Sequence, residues 1–474
     1  MMEVRHRKIK TDDDWSSELA TRQKKSQNQF GQKPIIIFIF LGILFLGYLI
    51  IASDLKTSNI SGSIDSIATS FNLQKPFYAV VIDAGSTGSR VLAFTFHKSL
   101  INGELILDKE LFNEIKPGLS NFADNPNDAI IGLNELINKA KNVIPKSEQS
   151  KTPLTMKATA GLRLLRIDKA NNLLDECKKF FNTTGFLVNN SSVSIMDGVD
   201  EGIFAWFTVN FLFNHLTPDN TKNTVAVLDL GGGSTQVTYT PDNNDIDKFQ
   251  KNHLHTIYAL NNNMTIYTHS HLGMGLMASR KSILIDYNFV NVNDNDDGII
   301  EVRSECINPI IKTQWSYAGK KYLVMGPINA THKLIKAHTY AGIDENVPVV
   351  KFDECVKVVK QHIDTIKERP IGLKKHDIYL VSYYFDRAAE AGLIHHSDGG
   401  IISLGDFHRA TIDACNYPNV EQPFACLDMT FIYILLNDCF GLDSSTKLNL
   451  YKKYKGHELS WALGAAFNLL QNDF

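Results

Sequence analysis

The sequence predicts an α/β protein built of two equivalent lobes. The main observation is a repeat. VVIDAGSTGSRVLAF (Val80–Phe94) and NTVAVLDLGGGSTQVT (Asn223–Thr238) each read as an apolar strand ending in aspartate, a Gly/Ser/Thr loop and a second strand. The second aspartate, Asp229, lies 146 residues after the first, Asp83. A supersecondary unit that recurs at such a distance marks two equivalent lobes, and two facing lobes would bring the loops together across a cleft. The second observation is helical spacing between the repeats, over Asp128–Val143 and Leu162–Phe181, so strands and helices alternate. The third is size: 474 residues, 44% hydrophobic and 21% charged, enough for more than one core.

From the N-terminus, residues 1–33 are polar and charge-mixed, without apolar periodicity, and read as a tail. Residues 34–52, PIIIFIFLGILFLGYLIIA, are uncharged and apolar, close to the roughly 20 residues a bilayer core needs. Eight Lys and Arg precede this run and few positive charges follow it, so a signal anchor with a cytosolic tail and a lumenal or external body is expected. Residues 53–76 read as a serine-rich stalk. The folded part is expected to divide into lobe I, residues 77–193 with 446–474, and lobe II, residues 194–445.

All six cysteines lie on the expected lumenal side, where disulfides are permitted. Cys306–Cys355 and Cys415–Cys426 are the expected pairs, although sequence cannot fix connectivity. Sequons at Asn59, Asn182, Asn189, Asn190, Asn263 and Asn329 fit the same compartment. Net charge is −3, so no basic nucleic-acid surface is expected. The Asn-rich segment Asp242–Asn263 reads as a surface insertion. NVNDNDDG (Asn291–Gly298) departs from an EF-hand at ligand positions and reads as a solvated acidic loop. The His pairs at 253/255, 269/271 and 395/396 lack a metal framework in sequence and receive no role.

The paired loops carry the chemistry. Taken alone, each could be a tight hairpin turn. Glycines also let backbone N–H groups approach an anion, hydroxyls add donors, and an aspartate at each strand end can hold a hydrated cation. The candidate phosphate-binding residues are Gly85, Ser86, Thr87, Gly88, Ser89, Gly231, Gly232 and Gly233, with Asp83 and Asp229 for the cation. SIMDGVDEGIFAWFTVNFL (Ser194–Leu212) sets Asp197, Asp200 and Glu201 before an apolar helix. Acidic residues suit any helix N-terminus, but the flanking Gly198 and Gly202 suit close approach of a ligand.

Five segments, DAGSTGSR, ATAGLRLL, DGVDEGIFAW, DLGGGSTQVT and SWALGAAFN, resemble in order the apyrase regions of the nucleoside phosphatase family, over about residues 77–474. The resemblance implies a two-lobed actin-like, ribonuclease-H-like fold and hydrolysis of nucleotides with Mg²⁺ or Ca²⁺. It implies Glu201 as the base that activates water, Ser234 and Gln236 as the residues that position it, and Asp83 and Asp229 as cation carboxylates acting through water, with Thr159 nearby. Gly88, together with YTHSHLGMGL and SYYFDRAAEAGLI, is similar to the Golgi guanosine diphosphatase and soluble nucleoside-diphosphatase branch. GDP or UDP are thus the expected substrates and triphosphates further candidates, in the Golgi lumen first and at the cell surface or after stalk cleavage second. SYYFDRA lies where the family binds the base, so Tyr383, Tyr384 and Phe385 are stacking candidates, though core aromatics would read the same. Alternatives are an actin-like ATPase or kinase and a silent nucleotide-binding receptor; the carboxylates and the expected anchor argue against both.

Overall fold

The computed structural model describes residues 37–45, 47, 68, 74–100, 103–216, 223–259, 262–286, 299–336 and 344–471. Contacts divide the chain into two units, Met1–Lys75 with Ser99–Gly103, and Pro76–Lys98 with Glu104–Phe474. In the first, residues 37–45 are helical and present exposed Ile37, Phe38, Phe40 and Phe45. No helix among the described residues is long and apolar enough to cross a membrane. The remainder of the expected 34–52 span, the 1–33 tail, most of the 53–76 stalk, the Asn59 sequon and the Asn291–Gly298 loop lie outside the described residues.

The second unit holds two sheets. In the first, β1 (Phe77–Ala84), β2 (Ser89–Lys98) and β3 (Leu105–Ile115) form an antiparallel meander, and β4 (Leu154–Ala158) and β5 (Val193–Ile195) extend it in parallel on the other side of β1, giving the order β3-β2-β1-β4-β5. The second begins with β6 (Ala226–Leu230), β7 (Ser234–Tyr239), β8 (Leu254–Ala259) and β9 (Asn262–Leu272). A three-stranded sheet, β10 (Ile299–Arg303), β11 (Lys312–Tyr317) and β12 (Lys320–Met325), and a hairpin, β13 (Thr331–Lys336) with β14 (Asp344–Val349), intervene. Then β15 (Ile378–Ser382), β16 (Gly400–Ser403) and β17 (Lys447–Leu450) complete the order β16-β17-β15-β6-β7-β9-β8. Without its edge strands the second sheet repeats the first: β9-β7-β6-β15-β17 matches β3-β2-β1-β4-β5 in order and direction. The expected repeat of α/β units is present.

The strand pattern sorts side chains into three cores. Along β1, Val80, Ile82 and Ala84 face the helices Pro126–Val143 and Ile167–Phe181, while Ala79 and Val81 face the opposite side. Along β6, Ala226, Leu228 and Leu230 face the helices of the second sheet, and Val227 turns the other way. Alternation of period two therefore buries both faces, as expected for strands covered on each side. The core shared by the two sheets is filled by helices Gly198–Leu212 and Trp461–Gln471. Gly464 lets these helices touch: a Cβ there would lie 2.5 Å from the Phe204 carbonyl oxygen, and Gly464 N–H donates to Thr208 Oγ1 at 3.0 Å.

Four local readings change. The helical spacing over 162–181 is broken into Ala160–Arg163 and Ile167–Phe181, with a turn at Leu164–Arg166. The Asn-rich 242–263 segment is not all surface insertion, because its second half is β8, paired antiparallel with β9. The SYYFDRA aromatics, which the sequence reads equally as those of a core strand, stand instead on a helix, Tyr383–Glu390, entered through Ser382 at φ 61°. Finally, β17 falls inside the 446–474 segment assigned to lobe I, yet it pairs with β15 and β16 in the second sheet. The disulfides Cys306–Cys355 and Cys415–Cys426 are both formed; Cys177 and Cys439 are buried thiols.

Candidate active site

Each aspartate sits one residue before the end of a central strand, and the chain then turns back. Gly85 N–H donates to the Gly88 carbonyl at 3.0 Å, and Gly231 N–H to that of Ser234 at 3.0 Å. The two turns are therefore the same tight hairpin, and the choice between hairpin and phosphate loop dissolves. The N–H groups between these closures (86–88, 232–233) donate to no backbone carbonyl among the described residues. Such consecutive N–H groups form an anion-binding concavity. Ser89 and Ser234 are already strand residues and buried.

Glycines bring the turns together. A Cβ on Gly232 would overlap Ser86 Oγ and lie 3.1 Å from Thr87 Cγ2. A Cβ on Gly161 would lie 2.8 Å from Ser86 Cα, and one on Gly118 would overlap the Ser86 backbone. Ser86 is thus ringed by backbone from three other segments. Thr159, buried, joins from the end of β4 through its N–H to the Ala84 carbonyl at 3.3 Å.

Asp83 and Asp229 are buried, and each keeps one oxygen, Oδ1, without a hydrogen-bond partner among the described residues. Arg90 takes the other Asp83 oxygen at 3.0 Å and binds Glu114 at 2.9 Å. Ser382 donates to Asp229. Burial raises both acids, Asp83 against the pull of Arg90, and Asp229 to about 6. Unpartnered buried carboxylate oxygens are costly, and a hard divalent cation is the group they suit. The donor set therefore fits the expected Mg²⁺ or Ca²⁺.

Glu201 stands on the first turn of the Gly198–Leu212 helix, which Asp197 caps through Val199 N–H at 2.7 Å. Of the three acidic residues before this helix, Asp197 is thus a cap, and only Glu201 is fully turned into the site. The flanking glycines serve the protein rather than a ligand: Gly198 packs on Ser270 and Arg163, and Gly202 on Thr268 and Thr238. Glu201 is ion-paired with Arg163. Burial pushes its carboxyl up to about 8; Arg163 lowers it, while Asp229 and Asp83 raise it. Gln236 Nε2 lies 3.2 Å from Glu201 Oε2, 2.8 Å from Ser234 Oγ and 2.9 Å from Ser270 Oγ, and its Oε1 is buried without a partner.

The aromatic trio separates. Tyr384 and Phe385 are buried in the core of the second sheet and have no face for a base. Tyr383 is half-buried and its hydroxyl hydrogen-bonds to Thr87 in the first turn. Sequence reasoning missed Arg90, Arg163, Ser270 and Ser382. Arg90 and Arg163 lie inside quoted motifs, DAGSTGSR and ATAGLRLL, and a lone arginine in a carboxylate-rich site was the available signal.

With this geometry in place, comparison with known proteins decides the family. A family model described as the GDA1/CD39 (nucleoside phosphatase) family matches residues 71–474. The chain belongs to that family. Like its relatives, this GDA1/CD39 member is a hydrolase acting on nucleotide phosphoanhydrides. Ectonucleoside triphosphate diphosphohydrolase 5 of Bos taurus is 38% identical over 404 residues, 83% of this chain and 88% of that protein. Nucleoside diphosphate phosphatase ENTPD5 of Homo sapiens is 38% identical over 401 residues, 83% and 88%. Ectonucleoside triphosphate diphosphohydrolase 6 of Rattus norvegicus is 37% identical over 402 residues, 84% and 82%. Among solved structures, nucleoside triphosphate hydrolases from Neospora caninum align with a TM-score of 0.54 at 13% identity, over 88% of this chain and 97% of that one, a likeness of fold alone.

Proposed function

We propose that the protein removes the terminal phosphate of nucleoside diphosphates such as GDP or UDP, with triphosphates as a secondary class, using water activated by Glu201. The observation that carries this reading is the single cluster of Glu201, Ser234 and Gln236 beside two buried aspartates with unpartnered oxygens. Phosphoryl transfer needs positioning and charge neutralisation more than covalent chemistry. A divalent cation held by Asp83 and Asp229 would neutralise phosphate oxygens.

The chain's own residues do the rest. The turn N–H groups of 86–88 and 232–233 hold the phosphates. Ser234 Oγ and the Gln236 amide orient the attacking water, for which the unpartnered Gln236 Oε1 is a ready acceptor. Glu201 takes the proton. Its raised pKa, about 8, makes it a stronger base than an exposed carboxylate. Arg163 orients it and keeps it from rising further.

Diphosphate preference is supported by Gly88, whose Cβ position lies 2.8 Å from Glu114 Oε1 and 3.1 Å from the Ile115 carbonyl oxygen. A histidine, which the cell-surface triphosphate-hydrolysing members of the family usually carry at this position, would have to push the Glu114 carboxylate aside and crowd the end of β3. The human relative is itself named a nucleoside diphosphate phosphatase. The apolar 34–52 run, the two disulfides and the sequons support a single-pass anchor with a lumenal body, Golgi first, and the two sheets support two lobes, with β17 belonging to the second rather than the first. Phosphate release should be measured over a panel of nucleoside di- and triphosphates with Mg²⁺, with Ca²⁺ and with EDTA. Release from GDP or UDP that EDTA abolishes is expected; equal release in EDTA, or a strict triphosphate preference, would contradict the reading.

A further inference from the structure

A second cluster of metal-ligating groups lies away from the catalytic carboxylates. His253 comes from the short turn before β8, His269 from β9, and Glu368 from the connection after helix Phe352–Ile363. Their ligand atoms lie within 4.8 Å of one another, the one such group of three among the described residues. His269 Nδ1 is 2.9 Å from His253 Nε2, Glu368 Oε2 is 3.0 Å from His253 Nδ1, and His269 Nδ1 is 3.9 Å from the same Glu368 oxygen.

We propose that His253, His269 and Glu368 bind one zinc-class divalent ion, with the fourth position open to water. Two imidazoles and one carboxylate suit zinc and its neighbours rather than Mg²⁺ or Ca²⁺, which take oxygen ligands. Ligand bonds of about 2.0–2.2 Å put tetrahedral neighbours about 3.3 Å apart. An imidazole gives one ion a single nitrogen, so His253 Nδ1, 3.0 Å from Glu368 Oε2, is the ligand atom, and a small side-chain movement closes the 3.9 Å from that oxygen to His269 Nδ1. A proton chain from His269 through His253 to Glu368 would use the same residues. Yet Glu368 Oε2, although near His253 Nδ1, has no aligned hydrogen-bond donor and is buried. That oxygen needs a partner, and an ion between the three side chains supplies one. The glutamate side chain is 31% exposed, which leaves a path for entry.

The site ties three segments separated widely in sequence. Side chains alternate along β9, so His269 and Ser270 point to opposite faces; β9 sets Ser270 opposite Gln236, and the two hydrogen-bond. The ion would therefore fix the strand that presents Ser270 to the water-positioning glutamine. It is a different site from that of Asp83 and Asp229, and its chemistry differs in kind.

The test uses the full chain, stripped of metal and held in saturating Mg²⁺ to fill the oxygen-lined site, then titrated with Zn²⁺ alone. Bound metal is counted directly, and Co²⁺ is substituted to read the visible absorption of a four-coordinate nitrogen–oxygen site. The wild type should hold one equivalent and gain thermal stability. His269→Gln and Glu368→Gln should each weaken zinc binding about 10-fold or more and lose the stabilisation, whereas Asp83→Asn should keep the equivalent. Two separate variants guard against one that does not fold. No bound zinc in the folded wild type, or zinc binding unchanged in both variants, would overturn the proposal.

Discussion

The two Asp-bearing hairpins share strand order, turn closure and the position of the carboxylate, and differ at the residue across the strand. Asp83 faces Arg90 and Asp229 faces Gln236 in the same antiparallel register. Arg90 is spent on charge: it pins Asp83 and Glu114. Gln236 is spent on geometry: it joins Glu201, Ser234 and Ser270. A duplicated scaffold has thus specialised at one cross-strand position, the first hairpin for electrostatics and the second for placing water.

That contrast predicts different kinetic signatures. Gln236→Ala should lower kcat about 10²–10³-fold with cation affinity nearly kept, since it removes a positioning donor. Arg90→Gln should instead weaken cation affinity about 10–100-fold, because it frees an outer partner of the carboxylate. Steady-state rates against cation concentration separate the two; the same parameter lost in both variants would break the comparison. Arg163→Met removes the positive charge that lowers Glu201, so the acid limb of the kcat–pH profile should move to higher pH. An unmoved limb would detach Arg163 from the base.

The glycines test how closely the hairpins meet. Gly232→Ala should destabilise the fold by about 1–3 kcal/mol through overpacking, because its Cβ would overlap Ser86 Oγ. Gly231→Ala should cost less, since its nearest contact is the Ser234 carbonyl oxygen at 3.2 Å. Thermal melting of both compares them. The fold also responds to pH. Glu201 and Asp229 are raised to about 8 and about 6 in the fold, so they favour folding when protonated. That stability is present below their ordinary values and is lost as pH rises through about 6 and about 8. Metal-free protein should melt progressively lower from pH 5 to 9, and saturating Mg²⁺ should flatten the fall.

Much of this was legible because it is local. The hairpins appear as apolar runs around glycine, the helix Trp461–Gln471 as a run of small residues, and Glu201 as the carboxylate inside DEG. What was not legible depends on partners far apart in the chain. Arg163 meets Glu201 only because the turn at Leu164–Arg166 ends its helix early. Ser270 meets Gln236 through strand register, and the histidines 253 and 269 make a ligand set only with Glu368, about a hundred positions on. Tyr384 and Phe385 misled because an aromatic pair reads alike in a core and at a site; the left-handed Ser382, which starts their helix, left no pattern in the sequence.

The most direct test of the central claim is phosphate release from GDP by Glu201→Gln beside wild type, at saturating cation. The glutamine keeps the shape and removes the base. We predict a fall in kcat of about 10²–10⁴-fold with KM little changed. A variant that releases phosphate as fast as wild type would contradict the assignment of Glu201 as the base.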